Sequence, residues 1–171
     1  MPASAHHQPC AGAKTGFVFI CPGRFEAARG YPCAAGTGAN LARVLTELHA
    51  RRPDLFTSPS RDKYVITNAW KEIEYPALTG RSVPTEAEVL QAGSLERLRA
   101  EIEALETVVA CGAQAQAALR ALSASGAVRA RVAFGRHLSQ RAVNMIAGGS
   151  DTPSRIRLWC DALLEQLPGP R

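Results

Sequence analysis

Four short apolar runs, rich in valine, isoleucine and phenylalanine, recur along the chain. They occupy residues 16–20, 64–67, 107–111 and 132–134. A short apolar run of this kind is typical of a strand that is buried on both faces of a sheet. The pattern therefore predicts four buried β-strands.

Between these runs, apolar residues return every three or four positions, which is the spacing of one face of an α-helix. Three such stripes are present: Leu41, Val44, Leu45 and Leu48; Leu95, Leu98, Ile102 and Leu105; and Ile156, Trp159, Leu163, Leu164 and Leu167. Strands that alternate with helices indicate a parallel sheet covered on both faces. The predicted fold class is α/β, with three α/β/α layers around a central four-stranded parallel sheet.

Residues that favour helix starts support this assignment. Thr85 is followed three residues later by Glu88, which is the spacing of a capping box, and Ser94 precedes the second stripe. Thr152 with Pro153 after it is predicted to begin the last helix.

Ligands of an open parallel sheet bind beyond the carboxyl ends of its strands. The segments that follow the predicted strands are residues 21–41, 68–70, 112–115 and 135–139. They hold most of the unusual polar and glycine residues of the chain. A functional site is therefore expected where these segments meet.

The length of 171 residues suits one compact domain. We expect a flexible N-terminal tail over residues 1–15 and a single domain over residues 16–171. Hydrophobic residues make up 46% of the chain and charged residues 20%, which excludes a disordered protein. No apolar run approaches the roughly 20 residues of a membrane span, and the first residues lack the pattern of a secretion signal. A cytoplasmic location is expected.

The five cysteines are dispersed and odd in number, so they are predicted to be reduced thiols. His6, His7 and Cys10 form the tightest group of metal-ligand types. They lie in a Gly/Ala/Pro-rich stretch without a second group of ligands, and a mobile tail explains them better than a metal site. We expect neither a metal nor a cofactor.

Several widespread catalytic motifs are absent. The chain contains no phosphate-binding G-x-x-x-x-G-K-[ST] loop, and residues 36–41 lack the third glycine of the dinucleotide fingerprint. It contains no G-x-S-x-G nucleophile motif, no H-E-x-x-H and no deaminase-type H-x-E. Nucleotide-triphosphate, NAD, common hydrolase and zinc chemistry are therefore disfavoured.

The segment after the first strand carries a spaced motif. Pro22, Gly23, Glu26, Gly30, Pro32, Gly38 and Leu41 match, without a gap, the pattern G-E-x-P-G-x-x-E-x-x-x-G-x-P-F-V-G-x-A-G-x-x-L. This is the first motif of the iron-sulfur branch of the uracil-DNA glycosylase superfamily, which residues 16–146 resemble in motif order.

Three further elements of that family follow in the same order. Residues 66–68 read I-T-N at the end of the second strand, and residues 108–115 are similar to the family's third strand and turn. His137, Leu138 and Ser139 resemble the final motif H-P-S, with leucine in place of proline. The resemblance implies a uracil-DNA glycosylase-like fold, DNA as the partner and hydrolysis of an N-glycosidic bond.

The chain also departs from the family pattern. Ile20 stands where the resemblance expects a carboxylate that helps activate water. Cys33 replaces the aromatic residue that stacks on the extruded base, and Phe25 or Tyr31 is a candidate to compensate. The four cysteines of the iron-sulfur cluster are not matched, so no cluster is predicted.

The resemblance assigns catalytic roles to three residues. The amide of Asn68 is predicted to read the imide edge of a flipped base, although a turn residue that satisfies the local backbone is the alternative. His137 is predicted to donate a hydrogen bond to the base oxygen as negative charge develops there, the alternative being a surface histidine. Glu26 either positions water or supports the start of a helix.

The remaining predictions concern binding. The substrate-binding candidates are Pro22, Gly23, Arg24, Phe25, Cys33, Asn40 and Ser139. Asn40 is a substitute candidate for positioning water, and Ser139 either contacts a phosphate or caps the following helix. The net charge of +5 permits an anionic partner. No acidic residue interrupts residues 129–141, and the arginines of that segment are Arg129, Arg131, Arg136 and Arg141. Arg136 and Arg141, beside His137, are the candidates for holding the DNA backbone.

Two functions remain open at this point. The first is a DNA glycosylase that removes uracil or another deaminated base. The second is a non-catalytic member of the same superfamily that binds a base or nucleic acid. This function would directly explain the loss of the carboxylate at position 20 and of the aromatic ring at position 33.

Overall fold

The computed structural model describes residues 3–169. Its sheet has five strands in the order β1-β3-β2-β4-β5. They are β1 (His7–Gln8), β2 (Thr15–Phe19), β3 (Val65–Asn68), β4 (Thr107–Cys111) and β5 (Arg131–Gly135). The four predicted strands are confirmed, each within about one residue, and they pair in parallel. The fifth strand, β1, was not predicted and pairs antiparallel to β3 at the edge.

Eight helices connect and cover the strands within the described residues. They are α1 (Arg24–Arg29), α2 (Ala35–Arg51), α3 (Pro76–Thr79), α4 (Glu86–Val89), α5 (Ala92–Ile102), α6 (Ala113–Ala124), α7 (Gln140–Asn144) and α8 (Thr152–Leu164). The three predicted apolar stripes coincide with α2, α5 and α8, although Leu105 and Leu167 lie beyond the ends of α5 and α8. A single turn of 3-10 helix at Arg61–Lys63 precedes β3.

Side chains that alternate along the buried strands divide the core into two layers. Phe17 and Phe19 of β2 and Val109 of β4 face α2 and α8. Val18 and Val108 face the opposite layer, which α4, α5 and α6 form. Successive strand residues point to opposite faces, so a strand apolar at every position needs helices on both sides. The three-layer α/β/α prediction is confirmed.

The predicted helix starts are correct at one site and displaced at two. Thr85 accepts a hydrogen bond from the N–H of Glu88 and Glu88 bonds back, so the capping box is confirmed. The fifth helix begins at Ala92, which places Ser94 inside it. Asp151, rather than Thr152, caps α8 by accepting from the N–H of Ser154 at 2.8 Å. An apolar stripe marks where a helix meets the core, and a helix can begin earlier than that contact.

Part of the segment that is expected to be a flexible tail pairs with the sheet. His7 pairs with Thr67 and Gln8 with Ile66, which attaches residues 7–8 to the edge of the sheet. The side-chain amide of Gln8 donates to the carbonyl of Arg61 at 3.0 Å. Polar partners far away in the sequence hold this segment, and an apolar pattern cannot reveal them. Residues 1–2 lie outside the described residues.

Beyond the carboxyl ends of the parallel strands, the connections converge on one edge of the sheet. The chain runs from β2 to β3 on one side, then crosses to β4 on the other side of β2. A crevice forms at such a reversal of strand order, and it is the usual ligand site of an open α/β sheet.

Candidate functional site

A cavity of about 450 Å³, called the pocket below, occupies this crevice. Its lining consists of Phe19, Ile20, Cys21, Gly23, Glu26, Cys33, Thr37, Asn68, Glu74, Ser82, Val83, His137, Ser139 and Arg141. A volume of this size lies within the range of small-molecule sites. All three predicted catalytic residues line the pocket: Asn68, His137 and Glu26.

His137 follows β5, and a hydrogen bond from Ser139 holds its neutral ring in one tautomer. The backbone N–H of Ser139 donates to its Nδ1 at 3.0 Å, so a neutral ring carries its hydrogen on Nε2. Burial lowers the pKa of His137 below its ordinary value of 6.5, although the charge of Glu26 acts in the opposite direction. The ring packs edge-on against Phe19, with 5.7 Å between the ring centres. The pocket therefore contains a neutral imidazole with one N–H available to donate.

Asn68 ends β3 and is only 2% exposed. Its Nδ2 donates to the backbone carbonyl of His6 at 3.0 Å. No group among residues 3–169 donates to its Oδ1. Arg97 holds the backbone at this point by donating to the carbonyls of Asn68 and Ala69, both at 2.8 Å. The side chain is fixed at the base of the pocket with an acceptor oxygen to spare.

Glu26 uses both of its carboxylate oxygens on backbone groups. Its Oε2 accepts from the N–H of Gly23, the residue that precedes α1, at 3.0 Å. Its Oε1 accepts from the N–H of Ala34 at 2.8 Å. These bonds favour the helix-start alternative for Glu26, and a role in positioning water stays a prediction.

Cys33 lies in the pocket at the position where the resemblance expects an aromatic ring. It is buried, its φ is +57°, and burial raises the pKa of its thiol above the ordinary range. Neither proposed replacement ring reaches the pocket. Phe25 is 47% exposed and lies beneath Arg24, whose Cζ is 4.8 Å from the ring centre, and Tyr31 lies beneath Arg61. Phe19 supplies the phenyl ring of the lining. Sequence reasoning assigned Phe19 to a strand and gave it no role in the site.

Three of the seven predicted substrate-binding residues line the pocket: Gly23, Cys33 and Ser139. Pro22, Arg24 and Phe25 lie outside the lining, although Gly23 and Glu26 beside them are part of it. The carbonyl of Pro22 accepts the N–H of Glu74 at 2.9 Å, so it fastens the pocket wall rather than contacting a ligand directly.

Asn40 also lies outside the lining, contrary to its predicted role. It is fully buried on α2, where its Nδ2 donates to the carbonyl of Leu138 at 3.0 Å. Its Oδ1 accepts from Arg43 at 2.9 Å. With both ends of the amide engaged, Asn40 ties α2 to the loop that carries His137.

The structure separates the arginines that are close in sequence. Arg141 lines the pocket, and Arg136 is exposed directly after β5. Arg131 begins β5, and Arg129 precedes it, so both lie at the amino end of that strand. Five residues of extended chain place Arg131 and Arg136 about 16 Å apart. Of these four arginines, only Arg136 and Arg141 are on the pocket side of the sheet.

Ser139 has two roles at the start of α7. Its Oγ accepts from the N–H of Ala142 at 3.3 Å, which confirms the capping alternative. Its own N–H sets the tautomer of His137, as described above. A phosphate contact by Ser139 stays a prediction.

Glu74 is the main pocket residue that sequence reasoning missed. It is 4% exposed and accepts hydrogen bonds from Trp70 Nε1 at 3.1 Å and from two nitrogens of Arg81. The bonds from Arg81 lower the pKa of Glu74 to about 2 despite its burial. Arg81 also binds Glu88, and its bonds to the two carboxylates hold residues 69–91 together as one wall of the pocket. This wall contributes Ser82 and Val83 to the lining. The only sequence signal was the position of Glu74 in the long segment that follows a predicted strand.

Other classes of site are not evident in the described part of the chain. Residues 3–169 contain no group of three or more His, Cys, Asp or Glu side chains placed to hold a metal ion. His6 instead contacts Glu101, and Cys10 donates to the carbonyl of Asp62. No helix among these residues is long and apolar enough to cross a membrane.

Comparison with known proteins agrees with the fold. The sequence matches the family model described as the Uracil DNA glycosylase superfamily over residues 7–160 of 171. This match extends from β1 into α8 and includes the whole pocket lining. No curated protein matches the chain.

Proposed function

Because the chain belongs to the uracil DNA glycosylase superfamily, we propose that it hydrolyses the N-glycosidic bond of uracil or another deaminated base in DNA. One observation carries the proposal: a neutral histidine with a defined Nε2–H donor and an asparagine with a free amide oxygen line the same pocket. An imide edge offers a ring N–H beside a carbonyl oxygen. Asn68 accepts from the first, and its remaining amide hydrogen is available to the second.

The chemistry proposed for His137 is stabilisation of the leaving base. As the glycosidic bond breaks, negative charge collects on the base oxygens. A preorganised donor at such an oxygen lowers the barrier more than it strengthens ground-state binding. The ring of His137 already has its hydrogen on Nε2, so no tautomer change precedes the reaction.

The pocket offers little for strong activation of water. Both oxygens of Glu26 and of Glu74 accept hydrogen bonds from the protein. The pKa of Glu74 near 2 also makes it a weak base. We therefore propose a dissociative reaction, in which the base departs before water attacks the sugar.

The experiment that tests this function measures free base released from oligonucleotides that carry uracil, hypoxanthine or xanthine. We expect release by the natural protein and a loss of about 100-fold or more in His137→Ala and in Asn68→Ala. Asn144→Ala changes an exposed asparagine on α7 outside the pocket lining and serves as the matched control. Equal release by the two pocket variants and the control would contradict the proposed roles.

A specific observation favours a second candidate function. Ile20 lies in the pocket where the resemblance expects a carboxylate, and Cys33 lies where it expects an aromatic ring. A non-catalytic protein that binds a base or DNA needs neither group. Binding of uracil-containing DNA without release of any of the three bases would favour this function over the enzyme.

A further inference from the structure

We propose that the N-terminal segment around β1 helps to determine which bases the pocket accepts, because the carbonyl of His6, directly before β1, fixes the orientation of the Asn68 amide. The proposal rests on the proposed function and adds the His6 carbonyl to the groups that position Asn68. His6 and Glu101 are positioning residues in this scheme, since they act on a bound base only through Asn68.

The contact between Asn68 and His6 determines the direction in which the nitrogen and the oxygen of the Asn68 amide point. The Nδ2 of Asn68 donates to the His6 carbonyl at 3.0 Å. If the amide turned by half a revolution, Oδ1 would face that carbonyl oxygen, and two acceptors would meet without a hydrogen between them. Asn68 is buried, so water cannot compensate for the lost bond. The orientation with Oδ1 free is therefore strongly favoured.

The His6 carbonyl is itself held on several sides. The pairing of His7 with Thr67 fixes the backbone next to it, and the N–H of Ser4 donates to the carbonyl of His7 at 2.8 Å. The ring of His6 contacts Glu101 on α5 through Nε2 at 3.3 Å. Residues 4–8 thus lie against β3 and α5 in one arrangement.

Glu101 connects this segment to the rest of the site. It is largely buried and accepts hydrogen bonds from Thr67 at 2.5 Å and from Arg97 at 2.7 Å. Arg97 is also the residue that donates to the backbone carbonyl of Asn68. The side chain and the backbone of Asn68 are therefore held by the same group of residues.

A fixed amide distinguishes two classes of base. Uracil, hypoxanthine and xanthine present a ring N–H next to a carbonyl oxygen, which suits an amide with its oxygen free to accept. Cytosine and adenine present an unprotonated ring nitrogen next to an amino group, which requires the reverse orientation. Loss of the His6 carbonyl allows the amide to rotate and removes part of the discrimination between the classes.

The test compares two truncations of the full chain. One removes residues 1–6 and with them the His6 carbonyl, and the matched control removes residues 1–3. For each protein we measure release of uracil and of cytosine from otherwise identical oligonucleotides. We expect the uracil-to-cytosine ratio to fall about tenfold or more in the longer truncation and to stay at the natural value in the shorter one. A merely structural role would lower both rates together, and an unchanged ratio overturns the proposal.

Point variants keep the test decisive if the longer truncation does not fold. His6→Ala removes the contact with Glu101, and His6→Gln restores a donor that reaches the same carboxylate. His7→Ala removes the neighbouring ring and serves as the control. We expect the ratio to fall in His6→Ala and to recover in His6→Gln, and equal ratios in all three variants contradict the role of His6.

A second readout separates this proposal from the proposed function. The side-chain amide protons of Asn68 are expected to exchange slowly with solvent in the natural protein and faster in His6→Ala and Glu101→Gln. If the natural protein releases no base, the glycosylase function fails, but this exchange and the relative affinity for uracil- and cytosine-containing oligonucleotides still decide the orientation. Unchanged exchange in both variants overturns the proposal.

Discussion

At the scale of single residues, the pocket depends on a histidine whose tautomer is set by one backbone group. The N–H of Ser139 bonds to Nδ1 of His137. We predict that nitrogen NMR at pH 7 finds Nε2 protonated and Nδ1 unprotonated. Burial lowers the pKa of the ring, so its protonation midpoint is expected below 6.5.

The chain offers a matched pair of variants for this prediction. Ser139→Pro removes the N–H, and the φ of −59° at this position suits proline. Ser139→Ala removes only the hydroxyl cap of α7. We expect a mixture of tautomers and slower base release in the proline variant alone. An Nδ1-protonated ring in the natural protein would contradict the proposed role of His137.

Gly112, directly after β4, is a second position that restricts the pocket. Its φ is +99°, and a Cβ there would lie 2.7 Å from Cδ1 of Ile20 and 3.3 Å from Cβ of His137. Gly126 has a φ of +71° but open space around it. We predict that Gly112→Ala lowers the free energy of unfolding by about 1–3 kcal/mol more than Gly126→Ala, because only the former adds overpacking to backbone strain.

Chemical denaturation of the two alanine variants measures this difference. Base release supplies an independent readout, since displacement of Ile20 and His137 disturbs the pocket whereas Gly126 is remote from its lining. Equal losses of stability in the two variants would mean that the pocket wall accommodates the methyl group of Gly112→Ala with no added loss in the free energy of unfolding.

At the scale of secondary-structure elements, the wall of residues 69–91 depends on one arginine. Arg81 binds the buried Glu74 and the more exposed Glu88. We predict that Arg81→Met lowers the melting temperature and accelerates proteolysis within residues 75–85, because it leaves a buried carboxylate without its partner. Arg99 also bridges two carboxylates, Glu96 and Glu103, but on the solvent side of α5.

Arg99→Met is therefore the matched control for Arg81→Met. Ion pairs between exposed side chains contribute little to stability, so this variant is expected to resemble the natural protein in both assays. If the two variants lose the same stability, Arg81 is a surface bridge rather than the anchor of the pocket wall.

The attachment of β1 to α5 is predicted to weaken in acid. Burial acts to raise the pKa of Glu101, but hydrogen bonds from His6, Thr67 and Arg97 outweigh it and lower the pKa to about 2 from an ordinary 4.5. In the unfolded chain this carboxyl group binds its proton near pH 4.5, whereas in the folded protein it remains ionised. Its contribution is therefore present above pH 4.5 and is lost as the pH falls toward 2.

We expect this contribution to be of order 1–3 kcal/mol in the free energy of unfolding. Urea unfolding at steps between pH 6 and pH 2 measures it as the difference between the natural protein and Glu101→Gln. Other carboxylates titrate equally in both proteins and cancel. A difference that does not change with pH contradicts the assignment.

Elements whose stability comes from apolar burial were predictable from the sequence. The four parallel strands are short apolar runs, the helices α2, α5 and α8 have a periodic apolar pattern, and the structure places both as expected. The strand β1 has no such pattern, since Gln8 and the carbonyl of His6 bind partners about 60 residues away. Glu74 was missed for a different reason: its partners Trp70 and Arg81 are only four and seven residues away, but no apolar periodicity around Glu74 predicts these contacts. Asn68 and His137 were found because each directly follows a recognisable strand.

At the scale of the whole molecule, the parallel sheet separates two groups of positive charge. The sequence places four arginines within residues 129–141, but β5 runs through the middle of that segment. Arg136 and Arg141 lie at its carboxyl end beside the pocket, and Arg129 and Arg131 lie at its amino end. Under the proposed function, a DNA strand that delivers a base to the pocket passes close to the first pair and not to the second.

This separation allows a charge-matched test of where DNA binds. Removing Arg136 and Arg141 together, or Arg129 and Arg131 together, changes the net charge of +5 by the same amount. We predict that the first double alanine variant binds DNA more weakly, and that its slope of log affinity against log salt falls by up to about 2, one per lost phosphate contact. The second variant is expected to retain the natural slope. Equal slopes in the two variants would mean that only net charge attracts DNA, whereas a loss confined to the first pair places the DNA backbone along the carboxyl edge of the sheet.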